Sequence, residues 1–331
     1  MRPRSSKVLL SVASLKAFLV SDLTNIRYLT GLNLSAGILL ALPRRFTLFV
    51  DDRYREMAVK NIPQGFAVRD IGDFAAEMKE IRETGIEADK VSILRLAQWK
   101  RKFPHTKFVR KIDVCEAFRR SKEPQELINL HRAEKITIEL LRRIPFALRK
   151  GTTEERLARD ITIWALELGA EGMSFDPIVA FGTHTSVPHH RPTNRSLKKG
   201  HIVQIDIGAK YRGYCADRSE VFFTTKPTDA QKFVYETVSE ARDAAMDLVK
   251  AGVSTHVLDR AARKVLAREG MESAFTHSLG HGVGLDIHEG VILSRKAKEE
   301  KLLKNEVITI EPGVYFPGKF GMRLESMVYV K

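Results

Sequence analysis

Two stretches in the C-terminal half of this chain place acidic side chains where a β-sheet ordinarily excludes them. That restricts the fold more than any other feature. In residues 202–208, Ile-Val-Gln-Ile-Asp-Ile-Gly, apolar and polar positions alternate; a turn at 209–213 follows, and 214–223 returns as a second strand. The pattern predicts an antiparallel hairpin. With the turn centred between Tyr211 and Arg212, Asp206 faces Asp217. A second hairpin is expected from 306–311 and 322–330, where Glu311 and Glu325 are each seven residues from Gly318. Directly opposed residues have Cβ atoms roughly 4.5–5.5 Å apart, and like charges there are destabilising. Facing water, such pairs would cost little. Asp206, however, lies between Ile205 and Ile207, and Glu311 follows Ile308-Thr309-Ile310. Buried carboxylates without a counter-charge acquire raised pKa values or unfold the site. Divalent cations remove that difficulty.

A third segment, residues 275–289, supplies a softer donor. It carries His277, His281 and His288 around Gly280, Gly282 and Gly284. Closely spaced glycines let backbone approach a ligand or a neighbouring strand. Four carboxylates and one imidazole suit manganese, cobalt, zinc or iron as divalent ions, and do not match a structural zinc site.

The charge is uneven in a way that points to the same half. The chain has 331 residues, with 55 Lys+Arg against 41 Asp+Glu. Residues 1–150 hold 30 basic and 17 acidic side chains, whereas residues 151–331 hold 25 and 24, together with eight of the ten histidines. A basic first part can bind nucleic acid or an anionic surface. Here the cations are scattered without interleaved aromatics, so a solvated surface is expected and nucleic acid is not. No apolar run reaches the roughly 18 residues that a membrane span needs. Cys115 and Cys215 form no C-x-x-C pair, which argues against a disulfide framework and fits a reducing cytoplasm. The start, Met1-Arg-Pro-Arg with Lys7 before residues 8–15, imitates an export signal, but Lys16 ends its apolar run.

About two domains are expected for this length. Residues 1–120 alternate apolar runs with amphipathic stretches, an α/β rhythm. A strand is predicted at 17–20, a hairpin at 38–50, and helices at about 52–60, 74–82 and 92–102. The polar, proline-containing run 119–124 marks a boundary. Beyond it, helices are expected at 125–148, from a Thr152-x-x-Glu155 capping box to 168, and at about 230–250 and 255–268.

Along almost its whole length the chain resembles the pita-bread-fold metallopeptidases, the family of aminopeptidase P, prolidase and methionine aminopeptidase. That resemblance implies an α/β creatinase-like N-terminal domain over residues 1–120 and an α+β pita-bread catalytic domain over 121–331. The family's ligands fall on Asp206, Asp217, His281, Glu311 and Glu325. Asp217 and Glu325 would be shared by two divalent ions, Mn(II) ahead of Co(II), Zn(II) or Fe(II), with Asp206 completing one and His281 with Glu311 the other. His189, His277 and His288 match histidines at the scissile bond, Glu311 a proton relay, and Arg323 an arginine beside the ligands. Residues 22–31 and 50–55 resemble the creatinase-like leading domain that methionine aminopeptidases lack. The resemblance therefore implies a cytoplasmic, homodimeric peptidase that hydrolyses Xaa-Pro bonds of dipeptides or short peptides by attack of a hydroxide bridging the ions. The alternatives are an inactive binding protein that uses the basic domain, and a methionine-type aminopeptidase. Three positions depart from the family pattern: Glu220 replaces an arginine, His190 a glycine, and Ser326 an aspartate. The chain also ends at Lys331, short of the usual end of its relatives.

Overall fold

The computed structural model describes residues 14–331, so residues 1–13, which carry most of the signal-like start, lie outside the described residues. Two compact units are formed, one up to Arg119 and one from Arg120. The first contains β1 (Phe18–Val20), α1 (Leu23–Thr30), β2 (Ile38–Leu42), β3 (Arg45–Val50), α2 (Asp52–Asn61), β4 (Phe66–Asp70), α3 (Phe74–Met78), β5 (Glu83–Glu87), α4 (Ile93–Lys102) and β6 (Lys107–Lys111). Its strands make one mixed sheet in the order β4-β3-β2-β1-β5-β6. Phe49, Phe74, Met78, Trp99 and Phe103 pack together with Leu19, Leu40 and Ile86 from the sheet. The helix expected over 74–82 stops at Met78. The chain has to turn there, because Thr84 and Ile86 are buried in β5 between β1 and β6.

In the second unit each half joins a pair of helices to a hairpin. The first half has α5 (Pro124–Ala147), α6 (Glu154–Glu167), β7 (Gly172–Met173), β8 (Ile178–Phe181), β9 (Ile202–Ile207), β10 (Ala209–Tyr211), β11 (Tyr214–Cys215) and β12 (Arg218–Phe223). Ile136, Leu140, Ile144, Leu157 and Ile161 on the two helices bury Val179, Phe181, Val203 and Ile205 of the β12-β9-β8 sheet. Burial of each such side chain stabilises by roughly 1.5–3 kcal/mol relative to exposure. The second half has α7 (Asp229–Met246), α8 (Thr255–Arg268), β13 (Gly280–His281), β14 (Ile292–Leu293), β15 (Val307–Ile310), β16 (Gly313–Phe316), β17 (Phe320–Arg323) and β18 (Ser326–Tyr329). Here Val234, Val238, Leu258, Ala262 and Leu266 cover Ile308, Ile310, Val314 and Met322. The helix start read at Thr152 is displaced by one residue. Thr153 is the cap, accepting from the Arg156 amide at 3.2 Å, while the Thr152 hydroxyl donates to Ala147 O.

The registers decide which carboxylates meet. In the second hairpin Gly313 pairs with Arg323 and Ile310 with Ser326, so Glu311 is carried opposite Glu325 as expected. The first hairpin differs. Tyr211 pairs with Tyr214 and Asp206 with Ser219, so the turn is Arg212-Gly213, one residue later than expected. Both turn residues have positive φ, 48° and 84°, the geometry of a two-residue hairpin turn whose twist suits the strands. Asp217 is therefore diagonal to Asp206, not opposite it. The slip spans two positions on the partner strand and leaves both carboxylates on the same face, because side chains alternate with period 2.

Candidate metal centre

The two hairpins are laced edge to edge. The Gln204 side chain accepts from the Arg323 amide at 2.8 Å and donates to Arg323 O at 3.1 Å, and the Glu325 amide donates to Ser219 O at 3.0 Å. The glycine-dense strand joins the same assembly. The Glu311 amide donates to Leu279 O, and the His281 amide to Thr309 Oγ1. An added Cβ at Gly280 would lie 2.0 Å from Thr309 O, and one at Gly282 would lie 2.1 Å from Glu289 O. Only glycine lets the backbone carry His281 this close to β15.

His189, Asp206, Asp217, His277, His281, His288, Glu311, Arg323 and Glu325, all singled out in the sequence, line one cavity of about 350 Å³. Its walls include Phe175, Ile178, Pro188, Ile287 and Ile292. Ligand-capable atoms of Asp217, His281 and Glu325 lie within 4.8 Å of one another. His281 Nε2 is 3.4 Å from Asp217 Oδ2 and 3.6 Å from Glu311 Oε1. Its Nδ1 donates to Gly282 O at 3.0 Å, which leaves the Nε2 lone pair facing the carboxylates.

Four carboxylates face one guanidinium in this cavity. Burial, then the negative charges of Asp206 and Glu311, push the Asp217 carboxyl well above its ordinary range. Burial, followed by Asp217 and the other acids, does the same to Glu325. Glu311 is lifted to about 7, chiefly by burial, with His281 and Arg323 working in the opposite direction. Asp206 Oδ1 and Glu325 Oε1 are buried without a hydrogen-bond partner. Orphaned buried oxygens and surplus negative charge are what a site for divalent cations requires, so the residues fit that group.

Among the described residues Arg323 is the one Lys or Arg that lines the cavity. It donates to Asp206 Oδ2 at 2.5 Å, Ser219 Oγ at 2.9 Å, the Tyr315 hydroxyl at 2.6 Å and Pro188 O at 3.2 Å. Ser219 in turn donates to Glu325 Oε2 at 3.1 Å, whereas Glu220, the departure beside it, pairs with Arg218. Tyr315 has no counterpart in the sequence reading. Its hydroxyl lies 3.0 Å from His277 Nε2, while His277 Nδ1 donates to Ser278 O. Both ring nitrogens of His277 are thus engaged in the neutral form.

That arrangement has a pH consequence. Burial, then Arg323, pushes His277 down from 6.5 to about 4. A group depressed in the fold contributes stability that is present above its unfolded pKa and is lost as pH falls through the folded one. The window is therefore pH 6.5 down to 4. At about 1.4 kcal/mol per pH unit, His277→Gln should lose about 3 kcal/mol less stability than wild type on acidification. Urea unfolding at pH 7, 5.5 and 4 measures this, and parallel curves would refute it.

A fold of two such halves, with buried acids and one imidazole at their seam, defines a metal-dependent hydrolase. The model of metallopeptidase family M24 matches residues 129–331, and that of the creatinase/prolidase N-terminal domain matches residues 4–121. The chain belongs to metallopeptidase family M24, with a creatinase-type α/β domain ahead of a pita-bread catalytic domain. It is 32% identical over 321 residues to the Xaa-Pro dipeptidase of Pyrococcus horikoshii, covering 96% of this chain and 90% of that one. Among solved structures, the Xaa-Pro dipeptidase of Bacillus anthracis superposes with a TM-score of 0.94 at 28% identity, over 99% of this chain and 94% of that one. The X-Pro aminopeptidase of Thermotoga maritima gives 0.90 at 32% identity, over 99% and 95%. Among the described residues no helix is long and apolar enough to cross a membrane.

Proposed function

We propose that this metallopeptidase hydrolyses the bond before proline, with two divalent cations held by Asp206, Asp217, His281, Glu311 and Glu325. The observation that carries this reading is the convergence of four carboxylates and the Nε2 face of His281 on one cavity, with two buried oxygens unpartnered. Asp217 and Glu325 would be shared between the ions, with Asp206 completing one and His281 with Glu311 the other. When bound, such ions supply a nucleophile from water near neutral pH and polarise the scissile carbonyl.

The chain's own groups do the rest. Glu311, on the cavity wall beside His281, is placed to carry a proton to the departing proline nitrogen. His189 and His288 orient the substrate and stabilise developing charge, a contribution of roughly 3–4 kcal/mol per donor. His277 acts through Tyr315, keeping the Arg323 network in place. The apolar walls exclude water and accept a ring. An Xaa-Pro bond lacks the N–H that ordinary peptidases grip, and its ring fixes φ, so recognition rests on shape. Mn(II) is the proposed working ion. Proline-containing dipeptides or short peptides are the proposed substrates, and a homodimer in the cytoplasm the proposed setting. Cys115 and Cys215, both free and buried, accord with a reducing compartment.

Hydrolysis of Ala-Pro and Ala-Pro-Ala by chelator-stripped protein, with and without Mn(II), tests the reading beside metal content per chain. Manganese-dependent cleavage with about two ions bound is expected, and the preferred peptide separates dipeptidase from aminopeptidase. Two bound ions with neither peptide cut would remove the proline assignment. Glu311→Gln should retain metal and lose turnover; full activity would remove its role as proton carrier.

A further inference from the structure

Outside the metal cluster, a second group of titratable residues among the described residues converges on Glu154, the first residue of α6. Its carboxylate is fully buried and accepts five hydrogen bonds from one segment. Oε1 receives the Phe181 amide at 2.8 Å and His184 Nδ1 at 2.9 Å. Oε2 receives His190 Nε2 at 2.9 Å, the Thr193 amide at 3.0 Å and the Thr193 hydroxyl at 2.7 Å. The two imidazoles lie against each other, their planes tilted by 38° and their centroids 4.4 Å apart. The helix start returns the grip, as the amides of Glu154 and Glu155 donate to Arg195 O and Thr193 O. Two histidines and a carboxylate can also hold a transition metal, but here each oxygen already has its donors, so the cluster is satisfied without an ion.

What this segment carries gives the cluster its function. His189 lies inside it and lines the metal cavity. Both of its chain neighbours are fixed, Pro188 by Arg323 through its carbonyl at 3.2 Å and His190 by Glu154. Thr185, earlier in the segment, accepts from the Gly321 amide of the second hairpin at 3.0 Å. We propose that Glu154 is a positioning residue for His189, clamping residues 181–193 so that this imidazole is presented to the substrate at a fixed place. The charge is well held, because the hydrogen bonds outweigh the burial that opposes it and keep the Glu154 carboxyl below its ordinary pKa. The proposal rests on the Xaa-Pro peptidase reading for the part that His189 plays.

The test is a double-mutant cycle on Ala-Pro hydrolysis with Glu154→Gln, His189→Ala and both together. A gain of about 1 Å of freedom at a positioned group can cost about 100-fold. Glu154→Gln should therefore lower kcat/KM by about 10- to 100-fold at unchanged metal content, and the double variant should be no slower than His189→Ala. Additive losses, or a wild-type rate in Glu154→Gln, would overturn the proposal, because a general loss of stability does not depend on which residue is at 189. Loss of a bound ion in Glu154→Gln would also overturn it, by assigning the cluster to a cation. If Glu154→Gln fails to fold, His190→Ala removes one clamp bond and carries the same cycle. Hydrogen exchange needs no turnover, so it decides the point even if neither peptide is cleaved. Faster exchange across 182–193 with β9 and β15 unchanged supports the clamp, and unchanged exchange overturns it.

Discussion

Asp217→Asn is expected to lower kcat/KM for Ala-Pro by more than about a thousandfold, beyond the roughly 10²–10³ lost with a single charge-stabilising donor, and to leave the protein short of metal. The same substitution should stabilise the metal-free protein, by about 1 kcal/mol, because it removes a carboxyl whose ionisation burial and the neighbouring acids oppose. The two effects have opposite signs and one cause. Saturating Mn(II), at about 100 times its Kd, should add about 2.7 kcal/mol to wild type and much less to the variant. Thermal unfolding with chelator and with Mn(II), alongside the hydrolysis assay, measures both. Wild-type metal content and activity in Asp217→Asn would remove Asp217 from the ligand set.

The largest effect on stability is expected at Arg323. Its guanidinium is buried and donates to Asp206, Ser219, Tyr315 and Pro188. Arg323→Met strands those acceptors and deprives the acids of their one organic counter-charge. Removing one partner of a buried ion pair costs about 3–5 kcal/mol. Denaturant unfolding in the presence of chelator should show a loss of that size, and added metal should recover part of it by supplying positive charge. A loss below about 1 kcal/mol would mean that Arg323 behaves like a surface ion pair, and that the acids are held in place by something else.

The residues of the centre were legible because acids in apolar strands are anomalous wherever they occur, and the anomaly does not depend on knowing the register. Register itself was legible only where the turn announced it. Pro317-Gly318 centres the second hairpin correctly, whereas the first turns on Arg212-Gly213, and an arginine with φ of 48° gives no warning in sequence. The error did not move the carboxylates to the other face, since it amounted to an even number of positions. Glu154 was hidden by a smaller mistake. With the helix cap read at Thr152, Glu155 becomes the residue of interest and Glu154 an ordinary acid of a first turn, where acids are common. Once Thr153 is the cap, Glu154 is turned inward and its five donors become visible. Those donors come from residues up to 39 positions away, and no local pattern reports them. Tyr315 was missed for a related reason. An aromatic in a strand usually means core packing, and only the fold brings its hydroxyl between Arg323 and His277.

The Gln204 bridge between the hairpins also bears on when the chain becomes active during its own synthesis and folding. Asp206 and Glu325 are 119 residues apart, and the hairpins that bear them are joined by the Gln204 side-chain amide, one main-chain bond and the side chains of Arg323 and Ser219. Closing so long a segment is an entropic cost met only when both halves are formed. A chain that has completed its first hairpin alone would hold only Asp206 and Asp217 of the five proposed donors. On the proposed ligand set, competence to cut peptides would come only with the second hairpin.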